Sequence, residues 1–94
     1  MHKLIVTILR KEKLECVVSS LRKENINFTY YDVKGFFKEV HLFHKDIMDR
    51  VKVEIVVPLD EVAKVKEIIL GNACCGMEGD AYLTVYVVDE LVSL

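Results

Sequence analysis

Between Val51 and Val57, the residues Val51, Val53, Ile55 and Val57 take every second position, with Lys52 and Glu54 between them. A period of two is the mark of a strand with one face buried. Pro58 ends it. Such a strand needs neighbours, and the chain offers three. Leu4 to Leu9 is an apolar, partly β-branched run that reads as a strand covered on both faces. Phe28 to Phe36 is aromatic and β-branched, and reads as a strand ending near Gly35. Leu83, Val85 and Val87 make the last strand, and Leu91 to Leu94 offer a short terminal piece.

Two helices lie between them. Leu14, Val17, Val18 and Leu21 recur at helical spacing, which predicts an amphipathic helix over Lys11 to Glu24, with Asn25 and Asn27 suited to its C-terminal turn. Val62, Val65, Ile68 and Ile69 predict a second helix, with Asp60 as its N-cap and Gly71 closing it.

The order is strand–helix–strand, twice. Right-handed crossovers put both helices on one side of the sheet. The expected fold is α+β: a ferredoxin-like βαββαβ sandwich, with a four-stranded antiparallel sheet and two helices on one face. Residues 1–94 read as a single domain. The other sheet face is left bare, with Ile5, Thr7, Leu9, Val56, Tyr86 and Val88 as its candidate residues. Apolar residues make up 52% of the chain. That is more apolar surface than one small domain easily hides, so burial between subunits is expected.

Charge excludes some partners. Thirteen basic residues are interspersed among fifteen acidic ones, with no basic face for nucleic acid or for an acidic membrane. No run approaches the roughly 20 apolar residues of a membrane span, and the six-residue apolar stretch before Arg10 is too short for a signal peptide core. Three cysteines, an odd number, argue against an extracellular disulfide framework. The expected location is cytoplasmic, with no membrane insertion and no nucleic acid.

Several residues invite a chemical reading and also have a plain one. Gly76, Gly79 and Asp80 fit an anion-binding loop or a simple turn before a strand. His41 and His44, with Asp46 and Asp49, fit no fixed metal spacing and read first as solvated loop residues. The vicinal Cys74 and Cys75 read first as small buried thiols at a helix end, and Cys16 has no evident partner. Lys52 and Glu54 read as a solvated pair or a subunit contact. Phe36, Phe37 and Phe43 read first as core or subunit contacts. No catalytic constellation is present, so the chain is not expected to be an enzyme.

Beyond these readings there is a resemblance. Ile8-Leu9-Arg10 followed by Lys13-Leu14-Glu15, Asp32-Val33-Lys34-Gly35-Phe36, the strand Val51 to Val57, Cys75-Gly76-Met77-Glu78-Gly79-Asp80-Ala81 and Val87 to Val92 stand in one order along nearly the whole chain. In that order they resemble the PII-like nitrogen-regulatory signalling proteins. The resemblance implies a homotrimer that binds a small anionic effector, an adenine nucleotide (AMP, ADP or ATP), in clefts between subunits. It also implies a regulated partner such as a transporter or a metabolic enzyme. The residues it places at each cleft are Ile8, Gly35, Phe36, Phe37, Arg50, Glu54 and Val56, with Gly76, Gly79 and Asp80 opposite. Glycines would let backbone amides approach phosphate, and Arg50 would add charge.

The chain departs from the family pattern at Met77, where the loop has a lysine, at Glu78, which is acidic where a phosphate would sit, and at Tyr82, where a basic residue usually stands. The family's arginine pair has no counterpart up to Leu94. Weak triphosphate binding is therefore expected, since each charge-assisted contact is worth about 1.5–3 kcal/mol. The segment Phe37 to Asp49 is shorter than the family's effector loop. Its alternation over Lys38 to Phe43 predicts an ordered hairpin. Two other readings stay open at this point. One is a metal-binding ferredoxin-like trimer using His41, His44 or the cysteine pair. The other is a stand-alone amino-acid-binding regulatory domain of the same βαββαβ order.

Overall fold

The computed structural model describes residues 1–36, 47–73 and 81–94. The chain runs β1 (His2–Leu9), a 3-10 turn (Lys11–Lys13), α1 (Leu14–Lys23), β2 (Thr29–Gly35), β3 (Met48–Pro58), a 3-10 turn (Leu59–Glu61), α2 (Val62–Ala73) and β4 (Ala81–Val88). The strands form one four-stranded antiparallel sheet in the order β2-β3-β1-β4. This is the ferredoxin-like α+β arrangement expected from the strand–helix–strand order.

Register decides what each face carries, because cross-strand partners share a face. Ile5 pairs with Ile55 and Val85, and Thr7 pairs with Val53 and Leu83. These residues look toward the helices. Ile5, Leu9, Val51, Val53, Ile55 and Val57 pack there against Val17 and Leu21 of α1 and Val65 and Ile69 of α2. Ile5, Thr7 and Leu9 were expected on the bare face and lie instead in the core. Strand β1 is apolar at both parities, so its own sequence carries no sign of which side is in.

The open face carries the even residues: Leu4, Val6 and Ile8 of β1, Val56 of β3, and Tyr82, Tyr86 and Val88 of β4. Val56, Tyr82 and Tyr86 are exposed on it. Val56, Tyr86 and Val88 thus stand where they were expected.

Helix α1 ends in a Schellman motif. Asn25 takes a left-handed φ of 60°. Its N–H donates to Arg22 O at 3.0 Å, and the Ile26 N–H donates to Leu21 O at 3.0 Å. Buried Ile26 and Leu21 share the core, which is the apolar contact this motif usually brings. The start of α2 differs from the expectation. Asp60 lies inside the 3-10 turn Leu59–Glu61 and caps nothing. Pro58 fixes the turn's entry, and the Leu59 N–H donates to Met1 O at 3.0 Å. Gly71 does not close α2, which continues to Ala73. A Cβ at Gly71 would meet nothing within 4 Å, so the helix passes it unhindered. Leu91 to Leu94 add no regular structure.

Thr7 is 0% exposed, and its hydroxyl has no hydrogen-bond partner. A buried unpaired hydroxyl costs about 1–3 kcal/mol. Thr7→Val keeps the branched shape a strand favours and removes that cost. We expect it to raise the unfolding free energy by about 1 kcal/mol. Urea denaturation checks this, and a loss of stability would mean that the hydroxyl is satisfied.

Candidate functional site

A groove of about 320 Å³ opens on the uncovered sheet face, lined by Leu4, Asn27, Phe28, Thr29, Glu54, Val56 and Leu91. Four of these come from the strands. Leu4 faces Val56 across β1 and β3, and Glu54 faces Thr29 across β3 and β2. Asn27 and Phe28 come from the turn after α1, and Leu91 from the segment after β4. The lining is mainly apolar, with Glu54, Thr29 and Asn27 as its polar residues. Pockets for small molecules are built in this way: an apolar enclosure for a ring, with a few groups to orient it.

Glu54 does not pair with Lys52. The Tyr31 hydroxyl donates to Glu54 Oε2 at 3.4 Å, and Lys52 Nζ sits over the Tyr31 ring, 5.9 Å from its centre.

The sequence-expected site residues fall into two groups. Glu54 and Val56 line the groove. Arg50, Gly35 and Phe36 lie toward the opposite end of the sheet. Gly35 pairs with Met48, and Arg50 with Val33. Ile8 stands between the groups, opposite Lys52 and Tyr82. Arg50 and Glu54 share one face of β3, four residues or on the order of 13 Å apart. Phe36 is exposed, so it is no core residue. Phe37, Gly76, Gly79 and Asp80 lie outside the described residues, as do His41, His44, Cys74 and Cys75 and most of the expected hairpin.

Arg50 is 7% exposed despite its charge. Its guanidinium donates to Asp49 O at 3.0 Å and approaches Met48 Sδ at 3.3 Å. Beside it, Lys34 Nζ lies 3.1 Å from Asp49 Oδ1. The Lys34 ammonium, through its hydrogen bond and its charge, holds the Asp49 carboxyl below the usual carboxylate range.

The sequence marks none of Asn27, Phe28, Thr29, Leu4 and Leu91 as a site residue. No periodic signal joins them, since the fold alone brings together positions this far apart. Among the described residues no group of three or more His, Cys, Asp or Glu side chains could hold a metal ion. Cys16 is a free, exposed thiol on α1. No helix of the described residues is long and apolar enough to cross a membrane.

Comparison with known proteins gives the following matches. The family model described as "Nitrogen regulatory protein P-II" matches residues 2–92. A curated relative, "Nitrogen regulatory protein P-II 2" of Methanothermobacter thermautotrophicus, is 32% identical, over 96% of this chain and 86% of the relative.

Proposed function

The chain belongs to the nitrogen regulatory protein P-II family, a family of regulatory proteins, and from that premise we propose that its groove binds an adenine nucleotide as the signal it senses. The observation that carries this reading is the Glu54 carboxylate beside an apolar groove of about 320 Å³. An adenine ring has apolar faces for Leu4, Phe28 and Val56. Its amino group is a donor for Glu54, a charge-assisted contact and so a strong one. A base seated there sends its ribose and phosphates along the sheet, past Ile8, toward Arg50 and Gly35. In this reading Phe36 and Phe37 flank that path, and the loop bearing Gly76, Gly79 and Asp80 supplies amides from a neighbouring subunit.

The open face suits assembly. Leu4, Ile8, Val56, Tyr82 and Tyr86 form an apolar surface that no helix among the described residues covers. In the proposed homotrimer three such faces are buried together. The regulated partner is a transporter or metabolic enzyme, and the setting is the cytoplasm.

Calorimetry on the whole chain with AMP, ADP and ATP tests the ligand. We expect AMP and ADP to bind, and ATP to gain nothing over ADP, because Met77, Glu78 and Tyr82 bring no cation to a third phosphate. Glu54→Ala should weaken binding about tenfold, the loss of one charge-assisted hydrogen bond. Val56→Arg should abolish it, by filling the groove and by placing a charge in the proposed subunit interface. Absence of binding by all three nucleotides would overturn the reading. Tight ATP binding would show that the loop is better supplied with charge than its sequence suggests.

A further inference from the structure

Tyr31 stands between two opposite charges on the open face. Lys52 and Glu54 are two apart on β3, so both point to the same side. Side chains so placed can reach each other, and an ion pair between them would draw the carboxylate along the strand, away from the groove. The structure shows another arrangement. Tyr31 pairs with Lys52 across β2 and β3, next to the pair Thr29 and Glu54. Its ring lies under the ammonium at 5.9 Å, and its hydroxyl donates to Glu54 Oε2 at 3.4 Å. One side chain thus engages both charges, the cation by its π face and the anion by its O–H.

We propose that Tyr31 is a positioning residue for the groove. It separates Lys52 from Glu54 and holds the carboxylate by Oε2, which leaves Oε1 to accept from a ligand N–H. Tyr31 does not line the groove, so its effect reaches the ligand only through Glu54. This rests on the ligand reading given above. The hydrogen bond is long, so its effect is a few-fold one and not a switch.

The consequence is one of selectivity. An amino-bearing purine gains from a fixed carboxylate, and a purine without the amino group does not. The test measures the affinity of AMP against purine riboside 5′-monophosphate, which lacks the 6-amino group and has the same phosphate. The wild-type chain should prefer AMP about tenfold. Tyr31→Phe keeps the ring under Lys52 and removes the hydroxyl. The preference should fall to about threefold, with the affinity for the analogue unchanged. Tyr31→Ala releases both charges, and the preference should disappear at low salt. It should return in part at high salt, where an ion pair between Lys52 and Glu54 is screened. A change that merely loosened the sheet would weaken both ligands equally and would show no such recovery.

A second measurement needs no ligand. The ε-methylene protons of Lys52 should be shifted upfield by the Tyr31 ring in the wild type and in Tyr31→Phe, and unshifted in Tyr31→Ala. Unshifted protons in the wild type would overturn the separator role. A wild-type preference for AMP that survives intact in Tyr31→Phe would overturn the role of Tyr31 and leave the nucleotide reading standing. If the wild type binds neither ligand, both fall together.

Discussion

Ile55→Ala should lower the unfolding free energy by about 3–4 kcal/mol and the melting temperature by roughly 15–25 °C. Ile55 is 0% exposed. It lies near the middle of β3, paired with Ile5, with Val53 and Val57 on its own face and both helices above. Truncation leaves a cavity that those rigid neighbours cannot close, so the loss of apolar burial is joined by a packing loss. Total stability for a domain of this size is about 5–15 kcal/mol, so one residue would remove a large share of it. The adjacent residue is the control. Val56 points to the open face and is 39% exposed. Val56→Ala should cost under about 1 kcal/mol in the isolated subunit. Denaturant unfolding of both variants decides. Equal costs would mean that the two faces of β3 are not as different as the register makes them.

Tyr86→Arg should convert the proposed trimer to single chains. Tyr86 is 51% exposed on the open face, opposite Leu4. An arginine there is solvated in a lone subunit, so the fold itself should survive. In a trimer with open faces inward the same substitution brings three like charges into an apolar interface. Light scattering should show the mass fall from about three times 10.8 kDa to that of one chain. Circular dichroism should show the secondary structure retained. A wild-type chain already monomeric at micromolar concentration would remove the basis for the proposed assembly. A trimer that tolerates the arginine would place its interface elsewhere.

Much of the fold is legible in the chain because Lys52 and Glu54 interrupt an apolar strand. Those two charges mark which parity of β3 is wet, and the core follows from the other parity. Strand β1 offers no such mark. Leu4, Ile5, Val6, Ile8 and Leu9 are apolar at both parities, and only pairing with β3 and β4 shows that the odd residues look inward. The end of α1 was readable from Asn25, since an asparagine takes a left-handed φ more readily than most residues. Gly71 misled because a glycine marks a helix end only where the backbone turns left-handed, and here it does not. Asp60 misled because Pro58 and the 3-10 turn set the entry to α2 before a side-chain cap is needed. The groove was half readable. Glu54 and Val56 sit on a patterned strand, whereas Asn27, Phe28 and Leu91 lie in connecting segments with no period to reveal them.

The sheet order has a kinetic meaning. β1 occupies an inner position, flanked by β3 and β4, and β2 stands at the edge beyond β3. The residues it joins are far apart in the chain: His2 meets both Pro58 and Val88. No hairpin between neighbouring segments can start that pairing, so a large entropy of loop closure precedes the first reward. The chain therefore should fold more slowly than a helical bundle of its size. Until β1 is seated, the apolar strands β3 and β4 each present open edges. The time spent in that condition, more than the stability finally reached, sets how readily newly made chains associate wrongly.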